Sequence, residues 1–277
     1  MSQISQASKK TVKSRLGRLG RAAFVAGTAA ALAIGTTGSA HAAVLNPLNE
    51  STTSFQKTFQ PVFDYDTNGC LPATAIDSSG RLNGGLDDSG SITGQCRDGH
   101  LGKAQTYSRV KCNNGWCGII YTLYFEKDMS CDNCTATSHR HDWEAAVIWV
   151  RQGSATPSYA SVSAHGEYTT QSWGSFPTDG VRVKVVYHKG ANVWDTHSFR
   201  FAKWGEVAEA WGDGGWDFPR LVSWNSYPGG SNTWTQSLQD QMNKHDWGQA
   251  NFPLRDDRFN EELNRSKPSA IPFNPWA

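Results

Sequence analysis

Residues 138–150 read Ser-His-Arg-His-Asp-Trp-Glu-Ala-Ala-Val-Ile-Trp-Val, a dense polar segment that runs directly into an apolar one. The apolar run that starts at Ala145 is typical of a buried β-strand. If Asp142 begins this strand, alternation places Asp142 and Glu144 on one face, and every second residue from Ala146 onward continues that face into the core. The stretch therefore predicts two carboxylates at the mouth of a core strand.

His139 is expected to approach these carboxylates from the preceding loop. Carboxylate oxygens combined with one imidazole suit hard cations, so His139, Asp142 and Glu144 indicate Mg²⁺, Mn²⁺ or Ca²⁺ in preference to zinc. The alternative is a solvated polar loop whose carboxylates form local salt bridges with Arg140.

The N-terminal segment has the features of a secretory signal peptide. Six basic residues and no acidic residue precede an apolar run at 22–34, and the small-residue cleavage pattern Ala40-His41-Ala42 follows. We predict a signal peptide at 1–42 and a single mature domain at 43–277, secreted to the extracellular space. A membrane-spanning helix is disfavoured because it needs about 20 apolar residues.

The charge balance limits the kinds of partner. Removal of 1–42 takes away six basic residues and lowers the formal net charge from +1 to −5. An acidic protein lacks the electrostatic basis for binding nucleic acid or anionic lipid. We expect no nucleic-acid partner, and we expect a monomer.

Composition and periodicity predict the fold class. The chain has 27 Gly, 12 Trp and 12 Phe, and its many short alternating runs favour β structure. The prediction is a mainly β (α+β) single domain, a β-sandwich with peripheral helices. Strands are predicted at 121–125, 142–150, 160–164, 181–187 and 198–202, and helices at 237–244 and 257–265.

A second cation site is suggested near residue 64. The run 64–69 fits the first half of an EF-hand loop, which makes Asp64, Asp66 and Asn68 candidate ligands. The match ends at the twelfth position, where Ala75 stands in place of a bidentate Glu. An Asx-rich turn leading into a disulfide is the alternative.

The heptapeptide 138–144 differs at one position from Gly-His-Arg-His-Asp-Trp-Glu, the signature of the necrosis- and ethylene-inducing-like proteins, the NLP cytolysins. The resemblance covers about residues 50–265. The Asp-x-Asp-x-Asn-Gly-Cys run and a second cysteine pair resemble the family's second type. Further matching runs keep the family's order: 64–70, Leu86, 96–98, 121–128, 164–166, 196–201, 221–224 and 247–253.

This resemblance implies a β-sandwich and a divalent cation, Mg²⁺ or Ca²⁺, held by Asp128, His139, Asp142 and Glu144. It also implies a calcium site at the run that begins with Asp64. Two features depart from the family pattern. A serine stands at the first position of the heptapeptide, where the family has glycine, and the segment between the first two ligands is longer than the family's.

The six cysteines all follow the predicted cleavage site and are expected to pair in an exported protein. The residues alone leave 15 pairings open. Cys112 and Cys117 bracket an Asn-Gly step that favours a hairpin, which makes a bridge between them plausible.

The resemblance implies a Cys70–Cys96 bridge, and the remaining pair is then Cys131 with Cys134. A rival interpretation combines these last two cysteines with His139 and His141 as a zinc site. Export favours oxidation of the thiols, and the resemblance assigns His139 to the other cation site.

Three further residues match family positions at the rim of the site. His165 and His197 match residues near the metal, and Trp194 matches a loop Trp used at the membrane. The alternatives are two hydrogen-bonded structural histidines and a tryptophan buried in the core.

The resemblance implies a secreted, non-enzymatic, necrosis-causing toxin. Its implied target is the sugar headgroup of sphingolipids in the outer leaflet of plant plasma membranes, recognised with the help of the cation. One alternative is a metal-dependent hydrolase with His141 or His165 as general base. However, the sequence has no nucleophile elbow, metalloprotease helix or phosphate-binding loop. The other alternative is a non-lytic, metal-dependent lectin-like binder.

Overall fold

The computed structural model describes residues 44–224 and 236–277. Within these ranges the chain forms ten strands and three helices. The strands are β1 (Val62–Tyr65), β2 (Gln105–Asn113), β3 (Trp116–Asp128), β4 (His139–Arg151), β5 (Tyr159–Ala164), β6 (Glu167–Ser172), β7 (Thr178–Asp179), β8 (Arg182–Lys189), β9 (His197–Phe201) and β10 (Arg220–Ser223). The helices are α1 (Ser54–Phe59), α2 (Gln236–Lys244) and α3 (Phe259–Ser266).

The strands build two sheets. The larger sheet has six strands in the order β10-β2-β3-β4-β5-β6, and all of its pairs are antiparallel except β10 with β2. In the smaller sheet, β8 pairs in parallel with β1 and antiparallel with β7 and β9. The two longest strands, β3 and β4, form the centre of the larger sheet and carry the polar segment at one end.

The larger sheet is covered on both faces. Along β4, Ile148 belongs to the core cluster that contains Val185 of the smaller sheet. Its neighbour Trp149 belongs to a second cluster, which contains Met242 of α2 and Leu263 of α3. Full burial of each such side chain contributes about 1.5–3 kcal/mol. The predicted β-sandwich with peripheral helices is confirmed.

All five predicted strands and both predicted helices are present, with shifts at their ends. One expectation is corrected: His139 is the first residue of β4 and does not lie in the preceding loop. The elements that the sequence analysis did not predict are α1, β1, β2, β6, β7 and β10.

The predicted signal peptide at 1–42 lies outside the described residues and stays a prediction, as does the 43–277 domain boundary. Among the helices within 44–224 and 236–277, none is long and apolar enough to span a bilayer.

Candidate metal centre

Three predicted ligands meet where β3 ends and β4 begins. Asp128 is the last residue of β3 and pairs across the antiparallel ladder with His139. One ligand atom from each of Asp128, His139 and Asp142 lies within 4.8 Å of the other two. Both carboxylates are buried. Two carboxylates and an imidazole this close together match the donor set that hard divalent cations accept.

Hydrogen bonding determines which nitrogen of His139 can bind a cation. Its Nδ1 lies 2.6 Å from the carbonyl oxygen of His141, so Nδ1–H donates to that carbonyl. The Nε2 lone pair is thereby left for a metal. Such a contact to the second ring nitrogen is usual for metal-binding histidines.

The two aspartates are held by donors from neighbouring strands. Asp128 accepts from the backbone N–H of His197 and contacts His197 Nδ1 at 2.8 Å. Asp142 accepts from the N–H of Trp143 at 2.9 Å and from the Tyr187 hydroxyl at 3.0 Å. Burial, and then the charge of Asp128, raise the pKa of Asp142. A bound cation would oppose this shift because it favours the ionised carboxylate.

Glu144 lies beside the three-residue cluster and is not one of its members. Its Oε2 accepts a short hydrogen bond from the Ser163 hydroxyl. Burial, and then the charge of Asp142, raise the pKa of Glu144. The burial of Asp142 and Glu144 disagrees with the alternative of a solvated polar loop.

The cluster opens into a cavity of about 330 Å³. The predicted rim residues His165 and His197 both line it. His165 is exposed and His197 is buried. The polar part of the wall comes from Asp128, His139, Asp142, Glu144, Ser163, His165, Thr196, His197, Gln249, Asn251 and Glu262.

Trp194 lies in a loop two residues before the cavity residue Thr196, and its side chain is 64% exposed. The alternative of a tryptophan buried in the core does not hold. The adjacent Val193 is also exposed, so this loop presents apolar area to its surroundings.

His141 has a different environment from the cavity residues. Its ring is buried and lies 5.4 Å from the ring centre of Trp247. Burial, and then the charge of His245, lower the pKa of His141 to about 4. His141 does not line the cavity, which argues against its role as the general base of a hydrolase.

The run proposed as a second cation site is engaged in other contacts. The Asp64 carboxylate accepts from the backbone N–H groups of Glu209 and Ala210. Asp66 lies 3.9 Å from the Arg200 guanidinium, and Asn68 is exposed in a turn. These contacts favour the Asx-rich turn.

The cysteines form three disulfides in the predicted pairing: Cys70–Cys96, Cys112–Cys117 and Cys131–Cys134. The last bridge removes two ligands from the rival zinc site.

The loop 129–138 that contains this last bridge is docked on the protein. Asn133 exchanges two hydrogen bonds with Gly90, and Asp132 accepts from the N–H of Ile92. Ser138 does not have a positive φ, so glycine is not required at the first position of the heptapeptide.

Several polar residues around the cluster were not predicted from the sequence. Tyr187 and Ser163 bind the carboxylates from β8 and β5. Glu262 of α3 accepts from Tyr168 and from Asn251 on the far wall of the cavity. Nothing in the local sequence distinguishes these residues from ordinary strand and helix positions.

Known proteins share this fold and sequence family. The family described as Necrosis inducing protein (NPP1) matches residues 53–266. NLP effector protein 10 of Phytophthora capsici is 31% identical over 245 residues, which cover 84% of this chain and 94% of the relative.

Two solved structures are similar along most of the chain. One, described as NLPPya in complex with mannosamine, has a TM-score of 0.65 and 30% sequence identity. The match covers 82% of this chain and 97% of the NLPPya chain. The other, described as the non-toxic HaNLP3 protein, has a TM-score of 0.67 and 26% sequence identity. The match covers 82% of this chain and 99% of the HaNLP3 chain.

The chain therefore belongs to the necrosis-inducing protein (NPP1) family, and the resemblance seen in the sequence is confirmed. Curated relatives are described as effector proteins and as a necrosis-inducing protein, which agrees with the prediction that the protein is not an enzyme.

Proposed function

We propose that this protein is a secreted, cation-dependent cytolysin that binds the sugar headgroup of plant sphingolipids and then damages the outer leaflet. The observation that carries the proposal is the cluster of Asp128, His139 and Asp142 within 4.8 Å, open to a polar cavity. These residues would hold Mg²⁺ or Ca²⁺, and Glu144 would complete the ligand set from the cavity wall.

A divalent cation at this cluster would retain coordination positions on its cavity side. Sugar hydroxyls are oxygen donors of the kind that such cations bind. A relative with the same fold has been solved with mannosamine, an amino sugar, which supports a glycosyl ligand. His165 and His197 line the same cavity, which supports a role for them in contacting that headgroup.

The exposed loop at Trp194 would supply the membrane contact. Tryptophan is favoured at the membrane–water interface because its ring is apolar and its N–H is polar. Since the predicted mature chain is acidic, it depends on headgroup recognition for attraction to the membrane. Export is supported by the three disulfides and by the similarity to effector proteins.

A non-lytic, lectin-like binder is a second candidate. The observation that favours it is the structural similarity to HaNLP3, which is described as non-toxic. Such a protein would keep the cation site and the sugar site while lacking the membrane step.

Dye release from liposomes that contain plant sphingolipid tests the proposal. We expect release by the parent protein in Mg²⁺ or Ca²⁺, and loss of release in chelator or in Asp142→Asn. Trp194→Ala should retain cation binding and release less dye. Trp276→Ala is a matched control, because Trp276 is also exposed, at 65%. Its segment binds Asn113 in the β2–β3 hairpin, which lies at the other end of β3 from Asp128.

Full release by Asp142→Asn with no cation bound would contradict the cation-dependent mechanism. Equal loss of release in Trp194→Ala and Trp276→Ala would contradict the specific role of the Trp194 loop. Liposome binding without release would identify the lectin-like alternative.

A further inference from the structure

His141, the second histidine of the heptapeptide, has a backbone φ of 61°, in the left-handed region. Residues other than glycine rarely adopt this conformation. The β3–β4 ladder pairs Phe125 with Asp142 and Lys127 with Arg140, but it lacks the intervening pair at His141. The regular strand is therefore interrupted between two of the proposed cation ligands.

This interruption matters because of side-chain alternation. In a regular strand, side chains three positions apart point to opposite faces of the sheet. His139 and Asp142 are three positions apart, yet their ligand atoms lie within 4.8 Å of each other. The left-handed residue lies between them, at the position where the side-chain alternation of β4 changes.

We propose that His141 is a positioning residue for the cation site, acting through its backbone. Its left-handed conformation turns His139 toward Asp142, and its carbonyl oxygen accepts from His139 Nδ1 at 2.6 Å, which fixes Nε2 as the metal-binding atom. This inference rests on the proposed cation site and adds a residue that binds neither cation nor sugar.

The His141 side chain anchors the unusual backbone. The Tyr124 hydroxyl lies 2.6 Å from His141 Nδ1, and the Trp247 ring packs edge-on against the imidazole. Gly85 closes the pocket, since a Cβ at that position would lie 2.8 Å from two atoms of the imidazole. A strained residue persists where its surroundings determine its conformation in this way.

Two substitutions separate the backbone role from ordinary packing. His141→Gly and His141→Ala both remove the imidazole, but only glycine adopts positive φ without steric penalty. By calorimetry with Mg²⁺ and with Ca²⁺, we expect His141→Ala to weaken binding by about 10–100-fold, the range typical of outer-shell partners. His141→Gly should bind more tightly than His141→Ala, although its fold has lost the same ring.

The tautomer of His139 provides a second readout. Ring ¹⁵N chemical shifts of the metal-free protein, recorded in chelator above pH 7, distinguish the protonated from the unprotonated nitrogen. The His139 signals are those missing from His139→Gln. We expect protonated Nδ1 in the parent and in His141→Gly, and a mixture of tautomers in His141→Ala.

Equal affinities for His141→Gly and His141→Ala, with the His139 tautomer unchanged in both, would overturn the proposal and leave His141 a packing residue. If His141→Ala does not fold, Tyr124→Phe replaces it, because this substitution removes only the hydroxyl that anchors the imidazole. A parent-like tautomer and affinity in Tyr124→Phe would count against the anchoring. If the parent binds no cation, the proposed function fails, whereas the tautomer measurement still decides the positioning role.

Discussion

Asp142→Asn is expected to stabilise the cation-free protein while destroying its cation site. Asp128 and Asp142 place carboxylate oxygens within 4.8 Å of each other in a buried setting. At a pH above the raised pKa of Asp142, where both carboxylates are ionised, the repulsion between the two charges is about 3.5 kcal/mol with an effective dielectric constant of about 20. The asparagine retains one acceptor oxygen for Trp143 and Tyr187, and the lost hydrogen bond costs about 1 kcal/mol.

The net gain is about 2.5 kcal/mol, which corresponds to a rise of about 5–10 °C in the unfolding midpoint of a domain of this size. Thermal unfolding in chelator would measure it. Saturating Mg²⁺ or Ca²⁺ should reverse the order of stability, because a ligand at about 1,000 times its Kd adds about 4.1 kcal/mol to the parent and nothing to a variant that does not bind it.

Asp64→Asn is the matched control for this experiment. Asp64 is also a buried aspartate, but its carboxylate accepts from two backbone N–H groups and lies outside the cluster. This variant should lose stability under both conditions and keep the shift caused by the cation. The reasoning would be refuted if Asp142→Asn were less stable than the parent in chelator and still gained stability from the cation.

Two further predictions concern regions away from the cluster. Burial lowers the pKa of His100, but the hydrogen bond and charge of Glu126 outweigh burial and raise it above 6.5. The resulting stabilisation is complete below the ordinary pKa of histidine and is lost as pH rises through the raised pKa of His100. The difference in unfolding free energy between the parent and His100→Gln should therefore shrink above about pH 6.5. A constant difference from pH 5 to 9 would contradict this. Gly118→Ala should lower the unfolding free energy by about 1–3 kcal/mol, which is seen as a lower unfolding midpoint. The reason is that a Cβ at this position would lie 2.7 Å from Trp149 and 2.9 Å from Leu263. An unchanged midpoint would show that the core adapts.

The elements that could be predicted from the sequence are those whose apolar residues follow a clear period. Successive side chains of β4 point alternately into the two core clusters, and α3 places Phe259 and Leu263 on one buried face. By contrast, α1 and β2 turn polar side chains inward. Gln56 of α1 is fully buried and donates to Ser108 of β2, so a pattern of apolar residues could not have revealed this contact.

The candidate site follows the same division. The heptapeptide located His139 and Asp142, and the family resemblance added Asp128, which lies eleven positions before His139 in the chain. The left-handed backbone at His141 could not be predicted, because the preference of histidine for positive φ is too weak to separate this position from a regular strand residue. The contact from Tyr187 arises only when the two sheets pack together.

The segment between Asp128 and His139, which is expected to be longer than the family's, lies outside the paired strands. Both ligands are strand residues, and their separation is set by direct pairing across the β3–β4 ladder. The loop 129–138 extends beyond that pair, where Cys131–Cys134 closes it and contacts with Gly90 and Ile92 hold it down. Insertions in such a loop leave the ladder unchanged because added residues alter the connection and not the paired positions. The proposed cation site, built on paired strands, can therefore tolerate a change in the length of this loop.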